Sequence, residues 1–184
     1  MLFSLPNILT MLRIVAIVPI VALFYVDARW ANWAILGIFV FAGITDFFDG
    51  YLARATGQVS KLGRFLDPIA DKLLVAAVIL MLVASGGLSG LAILPGLVIL
   101  IREITVSGLR EFLAELRVGV PVSNLAKWKT AIQMVALGFL IVGSAGPDFL
   151  PTVLIGEGLL WIAAALTCVT GFDYLRAGLR HMTD

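Results

Sequence analysis

The chain has 184 residues, of which 61% belong to the apolar set AVILMFWYC and 14% are charged, with a mean hydropathy of +1.06. A soluble domain carries about 25% charged residues to solvate its surface, so this composition argues against one and for a bilayer. A net charge of +1, from 13 Lys and Arg against 12 Asp and Glu, leaves no broad basic surface for nucleic acid, and a single cysteine, Cys168, cannot form an intramolecular disulfide or a thiolate metal site.

A helical crossing needs ~20 apolar residues, so the length has room for about six spans and no separate soluble domain. Residues 1–184 are therefore expected to form a single membrane-embedded domain. Pro6 suits a first helical position, where its missing N–H costs nothing, and a short amphipathic lead-in at Leu5 to Thr10 is expected to lie in the interface. Six apolar segments follow, roughly over 8 to 27, 32 to 54, 66 to 86, 90 to 111, 125 to 145 and 152 to 176, divided by Pro, Gly and charge. The predicted fold is all-α and integral to the membrane: six transmembrane helices with a short N-terminal interfacial helix. The first apolar run has no basic residue before it and no small-x-small cleavage site, so it reads as a retained span.

Basic residues near span ends are retained in the cytoplasm. With the N-terminus inside, Arg13, Arg54, Lys61, Arg64, Lys72, Arg102, Arg110, Arg117, Lys127, Lys129, Arg176 and Arg180 lie on or near the cytoplasmic face, and only Arg29 lies opposite. Both termini and any chemistry are then expected to face the cytosol, in a membrane such as the bacterial inner membrane. The opposite loops are too short and too neutral to hold a soluble module.

The second segment ends in Thr45-Asp46-Phe47-Phe48-Asp49-Gly50-Tyr51-Leu52-Ala53-Arg54, and the third opens with Gly63-Arg64-Phe65-Leu66-Asp67-Pro68-Ile69-Ala70-Asp71-Lys72. Asp46 and Asp49 are three residues apart and Asp67 and Asp71 four, so each pair projects from one helix face. A short connection makes the two helices antiparallel neighbours, which lets all four carboxylates converge. An ionised side chain inside a span costs at least ~2.5 kcal/mol. Pairing with Arg54, Arg64 or Lys72, or exposure at the interface, accounts for any one aspartate; four together call for a compensating cation. Hard oxygen ligands suit Mg²⁺, Mn²⁺ or Ca²⁺, and four carboxylates are enough for two ions, the standard device for displacement at a phosphoryl group.

Asp46, Asp49, Gly50, Ala53, Arg54, Gly63, Asp67 and Asp71 fit the pattern D-x2-D-G-x2-A-R-x8-G-x3-D-x3-D with every spacing intact, and on these eight positions over 26 residues the chain resembles the CDP-alcohol phosphotransferases. The resemblance implies a six-helix membrane enzyme, usually a homodimer, that transfers a phosphatidyl or similar group from a CDP-activated donor to an alcohol and releases CMP. It implies that Asp46, Asp49, Asp67 and Asp71 hold divalent metal, Mg or Mn, with Asp67 and Asp71 catalytic and Asp71 the base for the attacking hydroxyl. It further implies that Asp49, Gly50, Ala53, Arg54 and Gly63 line the CDP-lipid. Pro6-Asn7-Ile8-Leu9-Thr10-Met11-Leu12-Arg13 is similar to the family's P-N-x-L-T-x-x-R entry, which places Asn7 and Thr10 beside the nucleotide. Read without the family, the glycines mark helix packing, and N-capping and an interfacial arginine account for the entry segment. Neither His181 nor Cys168 has a sequence-level reason to reach the cluster, so no imidazole base or thiolate nucleophile is offered.

The fourth segment ends in Ile101-Arg102-Glu103-Ile104-Thr105-Val106-Ser107-Gly108-Leu109-Arg110-Glu111, and the fifth begins Lys127-Trp128-Lys129-Thr130-Ala131-Ile132-Gln133. Arg102 lies eight residues before Arg110, about 12 Å along a helix. That depth puts it inside the span, where it needs Glu103, an aspartate or a ligand phosphate. These runs resemble the branch of the family that couples CDP-diacylglycerol to sn-glycerol 3-phosphate, and the resemblance assigns the acceptor phosphate to Arg102, Arg110, Lys127 and Lys129, supported by Thr130. Each cation could instead be an anchor that snorkels to the headgroups of the surrounding membrane lipids. Another acceptor (inositol phosphate, phosphatidylglycerol or serine), a divalent-cation transporter and a structural membrane subunit are the alternative readings.

Overall fold

The computed structural model describes residues 5–56, 61–115 and 124–179; within these helices the side chains of 5, 6, 47–56, 61, 62, 64, 124, 177 and 179 lie outside the description. Among the described residues the chain forms α1 (Leu5–Phe24), α2 (Arg29–Thr56), α3 (Lys61–Ala84), α4 (Ile93–Glu115), α5 (Asn124–Val142) and α6 (Thr152–Leu179), and no strand. Single 3-10 turns, Gly90–Ala92 and Gly143–Ala145, precede α4 and follow α5. The lead-in expected at Leu5 to Thr10 is not a separate interfacial helix: it is the opening of α1, because no Pro or Gly follows Pro6 before Pro19 and the helix runs on without a break.

Four stretches are long and apolar enough to cross a bilayer: Asn7–Phe24, Gly90–Glu115, Leu125–Ala145 and Thr152–Arg176. Among the described residues α2 and α3 do not join them. In α3, Lys61, Arg64, Asp67, Asp71 and Lys72 fall in the first half and leave only Leu73 to Ala84 uninterrupted.

Polarity is inverted relative to a soluble protein. Val18, Leu80, Ile104, Trp128, Leu154 and Phe172 are exposed, whereas Asn7, Thr10, Arg13, Lys129, Gln133, Thr167 and Thr170 are buried. In water the exposed apolar side chains would forfeit roughly 1.5–3 kcal/mol each; against lipid they forfeit nothing. A bilayer is the solvent that fits this surface.

The chain divides into two compact units. The first comprises residues 1–88 and 138–153, the second residues 89–137 and 154–184. In the first, α1 packs on both α2 and α3, with Ile20, Ala31, Ile35, Phe39, Leu74, Val78 and Leu82 in the core. The start of α2 closes the end of α5: Asn32 Nδ2 donates to the Ile141 carbonyl at 2.9 Å, Trp33 Nε1 to that of Ala145 at 3.3 Å, and the Arg29 guanidinium to that of Gly146 at 3.2 Å. These donors satisfy carbonyls that a helix end leaves without an intrahelical partner. In the second unit Val106, Leu109 and Leu113 of α4 pack with Tyr174 of α6. Gly178 permits the approach, since a Cβ there would lie 2.8 Å from Leu109 Cδ1.

Candidate active site

In the first unit the site begins with three polar residues on α1. Asn7, Thr10 and Arg13 recur every three residues, within about one third of the helix circumference. They are buried, at 1%, 0% and 1% exposure. Thr10 and Arg13 each reach an aspartate of a neighbouring helix. The Arg13 guanidinium forms an ion pair with Asp46 of α2, and the Thr10 hydroxyl donates to Asp67 Oδ1 of α3 at 2.6 Å. A hydrogen bond this short to a carboxylate is charge-assisted, about twice as strong as a neutral one. Within one turn of α1, one aspartate from each neighbouring helix is therefore held by a fixed partner.

Asp67 and Asp71 are half-buried and one turn apart on α3, and the buried Gly63 precedes Asp67 by one turn. Lys72 is turned back on its own helix, where Nζ donates to the Pro68 carbonyl at 2.7 Å. Asp49, Gly50, Ala53 and Arg54 belong to the helical backbone of α2, but their side chains lie outside the described residues. Among the described residues no three carboxylate, imidazole or thiol groups converge closely enough to hold an ion; Asp49 is not among them. The donor type nonetheless fits a hard cation, since the signature supplies carboxylate oxygen with neither sulfur nor imidazole. A cavity of about 580 Å³ in this unit is lined by Tyr25, Asp27, Arg29, Asn32, Ser85 and Ser144, at the ends of the helices away from the aspartates.

In the second unit the cations separate by helix face. Lys129 is buried and its ammonium bonds Glu103 Oε1. Arg102 donates to the same Glu103 oxygen at 3.2 Å and to Thr170 Oγ1 at 3.0 Å, with its guanidinium carbon 5.8 Å from the Tyr174 ring centre. Arg110, exposed, approaches the same ring at 6.0 Å. Gly171 makes space for the Arg102 side chain, for a Cβ there would stand 3.0 Å from Arg102 Cγ. Lys127 and Thr130, three residues apart, share an exposed face of α5, and the Thr130 hydroxyl is spent on the Ala126 carbonyl at 3.1 Å.

The structure thus brings Arg102, Lys129 and Arg110 to one polar group and leaves Lys127 and Thr130 outside it. Sequence reasoning missed Glu103 as a partner of Lys129, and it missed Thr167, Thr170 and Tyr174 of α6 and the burial of Gln133. Thr167, Thr170 and Tyr174 do recur at helical spacing on one face, as do Lys129 and Gln133. Among the described residues Gln133 Oε1, Thr167 Oγ1 and Arg102 Nε find no hydrogen-bond partner though buried, as groups that meet a ligand or water would.

The model of the CDP-alcohol phosphatidyltransferase family matches residues 3–169. Among curated relatives, a CDP-diacylglycerol–glycerol-3-phosphate 3-phosphatidyltransferase of Rickettsia bellii is 52% identical over 174 residues, covering 95% of this chain and 94% of its own. A protein of the same name from Cereibacter sphaeroides is 40% identical over 218 residues, covering 99% and 98%. One from Pseudomonas fluorescens is 43% identical over 182 residues, covering 97% and 92%.

Proposed function

The chain belongs to the CDP-alcohol phosphatidyltransferase family, and on that premise we propose that it transfers the phosphatidyl group of CDP-diacylglycerol to sn-glycerol 3-phosphate, giving phosphatidylglycerophosphate and CMP. The observation that carries the choice of acceptor is identity of 40–52% with relatives of that name over nearly the whole of both chains. The buried Lys129 and the largely covered Arg102 support it, because an acceptor bearing a phosphate matches them and a neutral alcohol does not.

Asp46, Asp49, Asp67 and Asp71 hold divalent metal, Mg²⁺ or Mn²⁺ and two ions in number, and bound metal would offset negative charge on the diphosphate oxygens. Arg13 and Thr10 fix Asp46 and Asp67 before the ligand arrives, so less ordering is left for the binding step. Asn7, Thr10, Asp49, Gly50, Ala53, Arg54 and Gly63 receive the CDP-lipid, with the Arg54 fork suited to its diphosphate. Arg102, Arg110 and Lys129 receive the acceptor phosphate; Lys127 and Thr130, expected beside them, lie on the exposed face of α5 and do not join them. Asp71 takes the proton from the acceptor hydroxyl. The new bond forms between that oxygen and the phosphatidyl phosphorus as the bond to CMP breaks, and CMP departs with the electron pair.

All six helices span the membrane in a single domain of residues 1–184. At 1.5 Å per residue the 28 residues of α2 and 24 of α3 reach about 42 and 36 Å, enough to pass ~30 Å of hydrocarbon and carry their aspartates to headgroup level. The positive-inside bias puts those ends and both termini in the cytoplasm, and for a bacterial chain the membrane is the inner one. The donor enters from the lipid, the acceptor from the cytosol, and the enzyme works as a homodimer among membrane lipids. The reading is tested with Asp67→Ala and Asp71→Ala: each should insert and purify yet lose CMP release driven by glycerol 3-phosphate. Undiminished turnover in either removes that residue from the reaction.

A further inference from the structure

Two of the cations of the acceptor group share one oxygen. Glu103 Oε1 accepts from Lys129 of α5 and, at 3.2 Å, from Arg102 beside it on α4. The Lys129 side chain is 4% exposed, that of Arg102 12% and that of Glu103 18%. A lysine ammonium is a point charge on a flexible four-carbon stem with three rotatable donors. Such a stem lets the charge swing toward water and away from a substrate phosphate unless a partner fixes it. Arg102 has further constraints, Thr170 Oγ1 at 3.0 Å and the Tyr174 ring. Lys129 lies on a different helix and is tied to α4 through Glu103.

We infer that Glu103 is a positioning residue of the acceptor site: its carboxylate holds the Lys129 ammonium beside the Arg102 guanidinium, so that the phosphate of the acceptor meets a preset pair of cations. The inference rests on the proposed acceptor reading and adds a residue to it. Glu103 itself does not touch the acceptor, since a carboxylate would repel the phosphate; it acts through Lys129. Its effect therefore belongs to the binding of the phosphorylated acceptor and leaves the donor and the chemical step alone.

The test is steady-state kinetics of the full chain in detergent–lipid micelles, with glycerol 3-phosphate and CDP-diacylglycerol varied in turn. Glu103→Gln keeps the size and one acceptor oxygen but removes the charge. It should raise the KM for glycerol 3-phosphate about tenfold, while kcat and the KM for CDP-diacylglycerol stay within about twofold. Combined with Lys129→Met it should do no further harm beyond Lys129→Met alone, because both act at one place. An unchanged acceptor KM, an equal rise in both KM values, or full additivity of the two substitutions overturns the inference. Should Glu103→Gln fail to fold, Glu103→Asp carries the same test: the charge remains but the shorter stem cannot hold both cations, and an unchanged acceptor KM again overturns the role. A wild-type protein that releases no CMP with glycerol 3-phosphate defeats the acceptor reading and this inference with it; a wild type that does so beside an unaltered Glu103→Gln defeats this inference alone.

Discussion

The Arg13–Asp46 pair has unequal ends, and that asymmetry predicts unequal mutants. Arg13 is 1% exposed and Asp46 is 46% exposed. Asp46→Asn takes the Asp46 carboxylate from a guanidinium that is almost fully buried, and weakening a buried pair from this side costs about 3 kcal/mol. Arg13→Met removes the buried charge and leaves a carboxylate that water already reaches, so about 1 kcal/mol is lost, the scale of an exposed pair. For a chain of this size each kcal/mol lowers Tm by about 2–4 °C. Asp46→Asn should therefore unfold about 6–12 °C below the wild type, and Arg13→Met about 2–4 °C below it. Thermal unfolding followed by tryptophan fluorescence, in detergent with a chelator so that metal does not contribute, makes the comparison. Arg13→Met equal to or worse than Asp46→Asn would refute the reasoning, because it would mean that losing the Asp46 carboxylate costs the buried end of the pair no more than losing the guanidinium costs the exposed end.

Thr10→Val replaces the hydroxyl on Asp67 Oδ1 with a methyl group of similar size; it should cost about 1.5 kcal/mol, the low end for a hydrogen bond to a charged group beside a half-exposed partner, and raise the KM for CDP-diacylglycerol. Thermal unfolding and donor-varied kinetics read the two effects. Gly171→Ala brings a methyl group within 3.0 Å of Arg102 Cγ and 3.4 Å of its Nε; acceptor-varied kinetics should show a KM for glycerol 3-phosphate raised by about threefold to tenfold, as misplacement of a binding group does. Gly178→Ala sets its Cβ 2.8 and 2.9 Å from the two Leu109 methyls, and overpacking of about 1–3 kcal/mol should appear as a lower Tm with little change in either KM.

Much of the site is legible in the sequence because its residues follow one another at fixed intervals. The four aspartates and their helices can be found from spacing, and the resemblance to the family's entry segment marks Asn7, Thr10 and Arg13. What spacing does not give is the partner. Arg13 reads as an interfacial arginine until α1 is seen packed on α2, where it meets Asp46. Glu103 reads as a neighbour for Arg102, and its bond to Lys129 depends on how α4 and α5 pack. Lys127 and Lys129 look equivalent as two lysines two residues apart, but two residues is about 200° of helix, so one is buried and the other exposed. Thr167, Thr170 and Tyr174 escape notice because they are scattered through an apolar run, and a hydroxyl facing the bundle leaves the same trace in sequence as one facing lipid. Helix ends also shift, since α3 begins at Lys61 and so takes in the charged stretch ahead of the expected segment at 66.

CMP release by the purified chain, given CDP-diacylglycerol and one acceptor at a time (glycerol 3-phosphate, inositol phosphate, phosphatidylglycerol or serine), each with and without a chelator, tests the central claim most directly. Release with glycerol 3-phosphate alone, abolished by the chelator and restored by Mg²⁺ or Mn²⁺, is the predicted result. Release only with another alcohol would contradict the acceptor, and release untouched by the chelator would contradict the metal role of the four aspartates.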